Sequence, residues 1–340
     1  MSKSDLNRRE FLAGLAAVPM AGSILDAAQQ AQAPATGGRV TLPPDPVGAS
    51  VYTPPAAPII DCHCHIFDKL RPGGSVYPQD MQPGLTNYPA RYRATVYKTG
   101  IVGVIPTEAS SVPEETLWVL DQCAKDTMFL GHCGYLDFGT TNFVKYFDKF
   151  TSNKLFLGVR YRPAFGRNLE AGLDNPVFMA DAKAMTDKGL VFETGNPPAT
   201  VLKLADKLPP TAKIVIPHYP RLNLTPAQHE AYMGPMRELG KRPNVAIKFS
   251  GVTKIVDGKV ISDVNMLRGW LDQLWDIFGE DRIVYGTDFP HEERTAPFLV
   301  VLNTATSYIK EKSPMAQEKV FWRNSKRIYN WQKRAADQPS

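Results

Sequence analysis

From residue 57 onward, short runs of apolar and β-branched residues recur along the chain, and each is followed by a stretch with the spacing of an amphipathic helix. In order, the runs are APIIDCH (57–63), GIVGVIPT (100–107), MFLGHCG (128–134), LFLGVRY (155–161), GLVFETG (189–195), KIVIPHY (213–219), NVAIKFSG (244–251) and RIVYGTD (282–288). Eight strands are what a closed barrel needs. Strands alternating with helices imply a parallel sheet with right-handed crossovers. No Gly-rich dinucleotide loop follows the first run, so the α/β fold expected is a (β/α)8 TIM barrel rather than a doubly wound open sheet. The helix starts agree: Ser111-x-x-Glu114 with Pro113 reads as a capping box, and Thr225-Pro226 opens another helix. Two segments exceed a minimal barrel, 66–87 after the first strand and 163–174 after the fourth. Both follow C-terminal strand ends, the face on which barrel enzymes carry their sites, and are expected to wall it.

The first 56 residues lack this alternation. Arg8-Arg9 precedes Phe11-Leu12, a short apolar run and then small residues, the pattern of a twin-arginine export signal. The run from Phe11 to Ile24 is too short and too rich in Ala and Gly to span about 30 Å of hydrocarbon. The expected organisation is a signal peptide over 1–33, a Pro-rich linker over 34–56, a single barrel domain over 57–333 and a C-terminal tail over 334–340. The Ala31-Gln32-Ala33 cleavage site is followed by Pro34, an awkward first residue. The mature protein is expected in the periplasm, with no membrane partner once the signal is removed.

The net charge of +5 is mild for 340 residues, and no Lys/Arg run is interleaved with aromatics. Nucleic acid is excluded as an expected partner, leaving a small-molecule substrate and an option of homo-oligomers. The four cysteines form no C-x-x-C pair, and a chain of this size needs no disulfide staples, so buried free thiols are expected. Two of them interleave with histidines in PIIDCHCHIF (58–67). In a regular strand Asp61, His63 and His65 share one face while Cys62 and Cys64 point outward to the helices. That excludes a single Cys2His2 metal site.

A barrel gathers its strand ends around one cavity. Those ends carry His63 and His65, Arg160 and Arg162, Glu193, His218, Lys248 and Ser250, and Asp288. Singly, each reads more readily as a satisfied structural residue; jointly, six polar strand ends point to a site. Arg160 and Arg162, with Lys248, Ser250 and Arg221, are expected to bind a substrate bearing carboxylate or several hydroxyls, because guanidinium offers a fork matched to carboxylate. His132 and His291 are lesser candidates, and His229 is expected at the surface.

IIDCHCHIFD, LGVRYRP, IVIPHYPR, NVAIKFSG, DRIVYGTDFPH and the closing NSKRIYNW together resemble the amidohydrolase-related branch of the amidohydrolase superfamily. Within it they resemble the group containing 2-pyrone-4,6-dicarboxylate lactonase and sugar-acid lactonases. The resemblance implies a His-x-His at strand one (His63, His65), a catalytic histidine at strand six (His218) and a general-base aspartate at strand eight (Asp288). It also implies one divalent metal, usually zinc, held by the His pair, the aspartate and a strand-five histidine. Here Glu193 stands at the strand-five position, so the implied metal set is His63, His65, Glu193 and Asp288. The pyrone branch is understood to work without metal, so both versions stay open. The implied reaction is lactone hydrolysis. Its rivals are metal-dependent decarboxylation of an aromatic or unsaturated acid on the same barrel, and an exported barrel that only binds a ligand.

Overall fold

The computed structural model describes residues 52–71, 86–164, 166–218 and 225–340, all within the unit Val40–Ser340. The export signal, most of the linker and Arg221 lie outside the described residues. Among the described residues no helix is long and apolar enough to cross a membrane.

Eight parallel strands carry the fold: β1 (Ile59–Cys64), β2 (Ile101–Pro106), β3 (His132–Gly134), β4 (Phe156–Arg160), β5 (Val191–Glu193), β6 (Lys213–Ile216), β7 (Val245–Phe249) and β8 (Ile283–Tyr285). Strands β3 to β8 form one ladder in chain order, and β1 pairs with β2. Two thinner seams close the ring. Val104 bridges Phe129 and Thr107 bridges Cys133 between β2 and β3, while Cys64 bridges Phe289 just past β8. The result is the curled, TIM-barrel-like α/β fold that the eight runs imply. Strand three is shorter than its sequence run, because Met128–Leu130 reaches β2 only through isolated backbone bonds.

The apolar residues sort into an inner and an outer core. The inner cluster takes residues from every strand: Ile60, Ile105, Cys133, Leu157, Val191, Val215, Ala246 and Val284 among them. Trp322, Ile328, Tyr329 and Trp331 join it from the end of the chain and plug the N-terminal end of the barrel. Asn324 anchors this plug by donating to the carbonyls of Glu280 (2.7 Å) and Ile283 (2.8 Å) at the start of β8. The tail is fastened as well: Arg334 Nη1 donates to Cys123 O (2.7 Å) and Gln338 Nε2 to Thr127 O (2.9 Å). The larger outer cluster packs the opposite strand faces against the helices.

The alternation expected for PIIDCHCHIF does not hold. Between Asp61 and Cys64 the first strand advances three residues while β2 advances two, from Val104 to Pro106. Such a bulge resets which face each following side chain takes. Cys62 therefore lies in the inner cluster and Cys64 in the outer one. Asp61 turns away from the histidines, toward Tyr92 of the helix Pro89–Thr95. All four cysteines are buried free thiols, as expected.

Two helix starts and one hairpin complete the comparison with the sequence. Thr225 makes the full capping box with Gln228. Ser111 makes none, because Val112 takes the cap position and Pro113 alone presets the first turn. After β7, Lys254–Val256 and Lys259–Ile261 form an antiparallel hairpin around Asp257-Gly258 that the strand pattern alone did not anticipate.

The aromatic plug should contribute heavily to stability. Trp331→Ala, which empties a buried indole site and frees the Ser325 hydroxyl that its Nε1 donates to at 3.0 Å, is expected to lower unfolding free energy by about 3–5 kcal/mol. Urea denaturation followed by far-UV circular dichroism checks this, and a loss below about 1 kcal/mol would remove the plug from the account.

Candidate functional site

The site begins at the bulge. Asp61 is fully buried and accepts four hydrogen bonds: from His63 N (2.9 Å), Thr287 N (2.9 Å), Thr287 Oγ1 (2.5 Å) and Tyr92 Oη (2.7 Å). It thereby ties the bulged β1 to the turn after β8. His63 and Asp288 flank this tie, and Asp288 N donates to His63 O at 2.6 Å. Gly286 permits the approach, since a Cβ there would stand 2.6 Å from that of His63.

Both histidines converge on one carboxylate oxygen. His65 Nε2 lies 3.2 Å and His63 Nε2 3.3 Å from Asp288 Oδ1. His218 lies beside His63 with ring centroids 4.4 Å apart and planes tilted by 38°, and His291 meets His65 edge-on at 5.8 Å. The backbones of His218 (φ 63°) and Asp288 (φ 57°) take the left-handed region that non-glycine residues rarely adopt. Such strain is characteristic of functional positions. Ser250, expected to touch substrate, holds His218 instead: its Oγ lies 2.9 Å from His218 Nδ1.

Burial sets the protonation states. It pushes the imidazoles of His63 and His65 down, His218 to about 3 and His291 to about 4, so all four are neutral near pH 7. Burial also pushes the Asp288 carboxyl up, but His218, His65 and His291 more than reverse this and hold it below the usual carboxylate range. One ionised carboxylate thus faces a ring of neutral imidazoles. Neither ring nitrogen of His63 has a hydrogen-bond partner although both are buried, and one donor atom from each of His63, His65 and Asp288 lies within 4.8 Å of the others. Orphaned imidazole nitrogen beside a carboxylate oxygen suits a divalent metal with one position left open.

Across the ring, β4 supplies the expected arginines. Arg160 is buried, and its Nε and Nη1 have no hydrogen-bond partner; the nearest carboxylate oxygen recorded for it, Glu108 Oε2, is 3.9 Å from Nη1. Arg162 Nε lies 3.3 Å from Glu108. Burial raises the Glu108 carboxyl, and Arg162, Arg160 and Arg167 together bring it below the usual range. Glu108 went unrecognised in the sequence, although it closes strand two just as the other candidates close their strands. Arg167 is structural: it donates to Asp137 (2.8 Å) and Arg160 O (2.9 Å) and pins the loop after β4.

Glu193 and Lys248 do not join the site as expected. They pair with each other, Nζ to Oε1 at 2.6 Å, and both side chains are fully buried. Thr107 Oγ1 (2.9 Å) and Tyr329 Oη (2.7 Å) occupy the Glu193 oxygens, and Lys248 Nζ also donates to Cys62 O at 2.6 Å. The physical reason is desolvation: a buried ammonium needs a counter-charge, and Glu193 is the carboxylate beside it. In this structure Glu193 thus stands outside the His63, His65 and Asp288 donor group, and Lys248 is committed to the pair, which braces the β1 bulge. His132 is likewise buried, with Nδ1 3.0 Å from Pro106 O, and burial pushes it down to about 4.

Glu292, on the turn His291–Arg294, is a further site residue that the sequence did not single out. Burial, with the nearby Asp288 charge, pushes its carboxyl up to about 8 against the opposing effect of Lys254.

Comparison with known proteins agrees with the fold. The amidohydrolase family model matches residues 60–331. L-fucono-1,5-lactonase of Burkholderia ambifaria is 25% identical over 247 residues, covering 68% of this chain and 80% of the relative. A zinc-bound amidohydrolase from Burkholderia multivorans superposes with a TM-score of 0.71 at 17% identity, over 81% of this chain and all of that one. The putative 2-pyrone-4,6-dicarboxylic acid hydrolase of Pseudomonas putida gives 0.64 at 16% identity, over 80% and 97% of the two chains.

Two outcomes test the roles assigned here. Glu193→Gln should cost about 3–5 kcal/mol by stranding the Lys248 ammonium yet leave metal content as in the wild type, whereas His65→Ala should empty the site; mass spectrometry of metal after dialysis, with urea melts, separates them. For His132, the folded value of about 4 lies below the unfolded 6.5. Its contribution is complete above pH 6.5 and falls away as pH drops toward 4. His132→Gln should therefore flatten the fall in stability between pH 6.5 and 4, read from urea melts across that range.

Proposed function

The chain belongs to the amidohydrolase family, and from that premise we propose that it is a hydrolase that opens a lactone of an anionic or polyhydroxylated acid. One observation carries this reading: an ionised Asp288 enclosed by neutral His63, His65 and His218, across the barrel from an arginine with unused N–H groups. A carboxylate accepts a proton, neutral imidazoles offer ring N–H to a developing oxyanion, and guanidinium holds an anionic or hydroxylated substrate. The lactonase relative supports the substrate class.

In this mechanism Asp288 takes a proton from water as the water oxygen attacks the lactone carbonyl. His218 stabilises the tetrahedral oxyanion by donating a ring N–H, and His63 joins it in the version that works without metal. When the ring C–O bond breaks, the proton held by Asp288 passes to the leaving alkoxide, which yields the open hydroxy acid. His63, His65 and Asp288 would hold a divalent metal, and zinc suits their nitrogen and oxygen donors; when bound it supplies Lewis-acid polarisation of the carbonyl. Ser250 orients His218, and Arg160 with Arg162 fixes the substrate. The twin-arginine pattern at the N-terminus supports an exported, periplasmic enzyme.

The test is a lactone panel with and without chelator. Asp288→Asn should lower kcat by about 10²–10⁴-fold, and Arg160→Ala should raise KM by about tenfold or more, as expected for a lost charged hydrogen bond. Carbon dioxide release from an aromatic acid, with no lactone opened, would instead assign decarboxylation.

A further inference from the structure

Glu292 carries a carboxyl that the mechanism above leaves unused. Its Oε2 is buried and has no hydrogen-bond partner. The turn that bears it follows Asp288 directly, with Glu292 N donating to Asp288 O at 3.2 Å. On its other side Gly251 lies against both groups: a Cβ there would stand 3.6 Å from His218 Cβ, 3.7 Å from Glu292 Oε1 and 3.7 Å from His218 Nδ1, ordinary contact distances. Gly251 has φ 62°, a conformation that disfavours any residue bearing a side chain there. Glu292 and His218 therefore meet at Gly251, on the β7–β8 side of the site. Arg160 stands at the opposite side, since β4 and β8 are four strands apart in the eight-stranded ring.

We propose that Glu292 is a specificity-determining residue that binds neighbouring hydroxyl groups of the lactone ring, so that the enzyme selects polyhydroxylated lactones. This rests on the lactone-opening reading above. A carboxyl offers two oxygens at the spacing of a vicinal diol, and it can accept from hydroxyls in either protonation state. A second carboxylate on the substrate is repelled by the adjacent Asp288 and belongs at Arg160. A ring methylene in place of the hydroxyls leaves the buried Glu292 Oε2 unsatisfied, and sites built on buried polar groups reject such analogues strongly.

The experiment compares wild type, Glu292→Ala and Glu292→Gln on D-glucono-1,5-lactone and on δ-valerolactone, the same ring without hydroxyls. Glu292→Ala should raise KM for the gluconolactone at least about tenfold more than for valerolactone. Glu292→Gln, which keeps shape and hydrogen-bonding capacity, should show a smaller preference loss in the same direction. Equal effects on both substrates, as a merely structural role would give, overturn the proposal. If Glu292→Ala fails to fold by circular dichroism, the glutamine variant decides alone: a changed KM ratio supports the assignment and an unchanged ratio overturns it. If wild type opens neither of these nor any other lactone of the panel, the lactone reading falls. Calorimetric binding of D-gluconate then judges Glu292 by itself, weaker binding in the variant supporting it and equal binding overturning it.

Discussion

The structure turns on one buried carboxylate, Asp61. Four hydrogen bonds join it to His63, to both donors of Thr287 and to Tyr92. Burial alone pushes this carboxyl up, and those donors are what make its presence in the interior tolerable. By satisfying it, the fold locks the bulge of β1 to the turn after β8, the seam where the barrel closes. His63, His65 and Asp288 all hang from that seam, so barrel closure and site assembly are one event.

A second buried charge system supports the first from beneath. Lys248 donates to the carbonyl of Cys62, inside the bulge, and Glu193 neutralises it while Tyr329 reaches up from the C-terminal plug. The end of the chain is thus wired to the histidine pair through three side chains. Separating the charges into two compartments has a chemical result. The Lys248 ammonium is compensated by Glu193, and Asp288 is the carboxylate set directly against His63 and His65, in surroundings where its charge is poorly screened.

The barrel was legible because its signal is periodic: eight apolar runs, each closed by a polar residue, map onto eight observed strands. The same rule that picked His63, His218 and Asp288 also covers Glu108, which closes strand two, and Asp257-Gly258 between two alternating runs marks the hairpin after β7. Both features are present in the sequence. The roles of Glu193 and Lys248 were different. Their strand-end positions resemble those of ligands and substrate contacts, and only their mutual distance of 2.6 Å shows that each exists to neutralise the other.

The sequence by itself determined the strand count, the parallel topology and the set of residue types that meet at the C-terminal strand ends, because these follow from hydrophobic period and chain order. Its exclusion of the cysteines of PIIDCHCHIF from the histidine set rested on an alternation that the strand does not keep. Tertiary structure decided which way each side chain of that run faces, since a bulge inserts one residue and its position depends on β2, Thr287 and Lys248. It also decided which charges pair and which stay free. Pairing is a matter of a few ångströms between residues distant in the chain, and no local pattern encodes it.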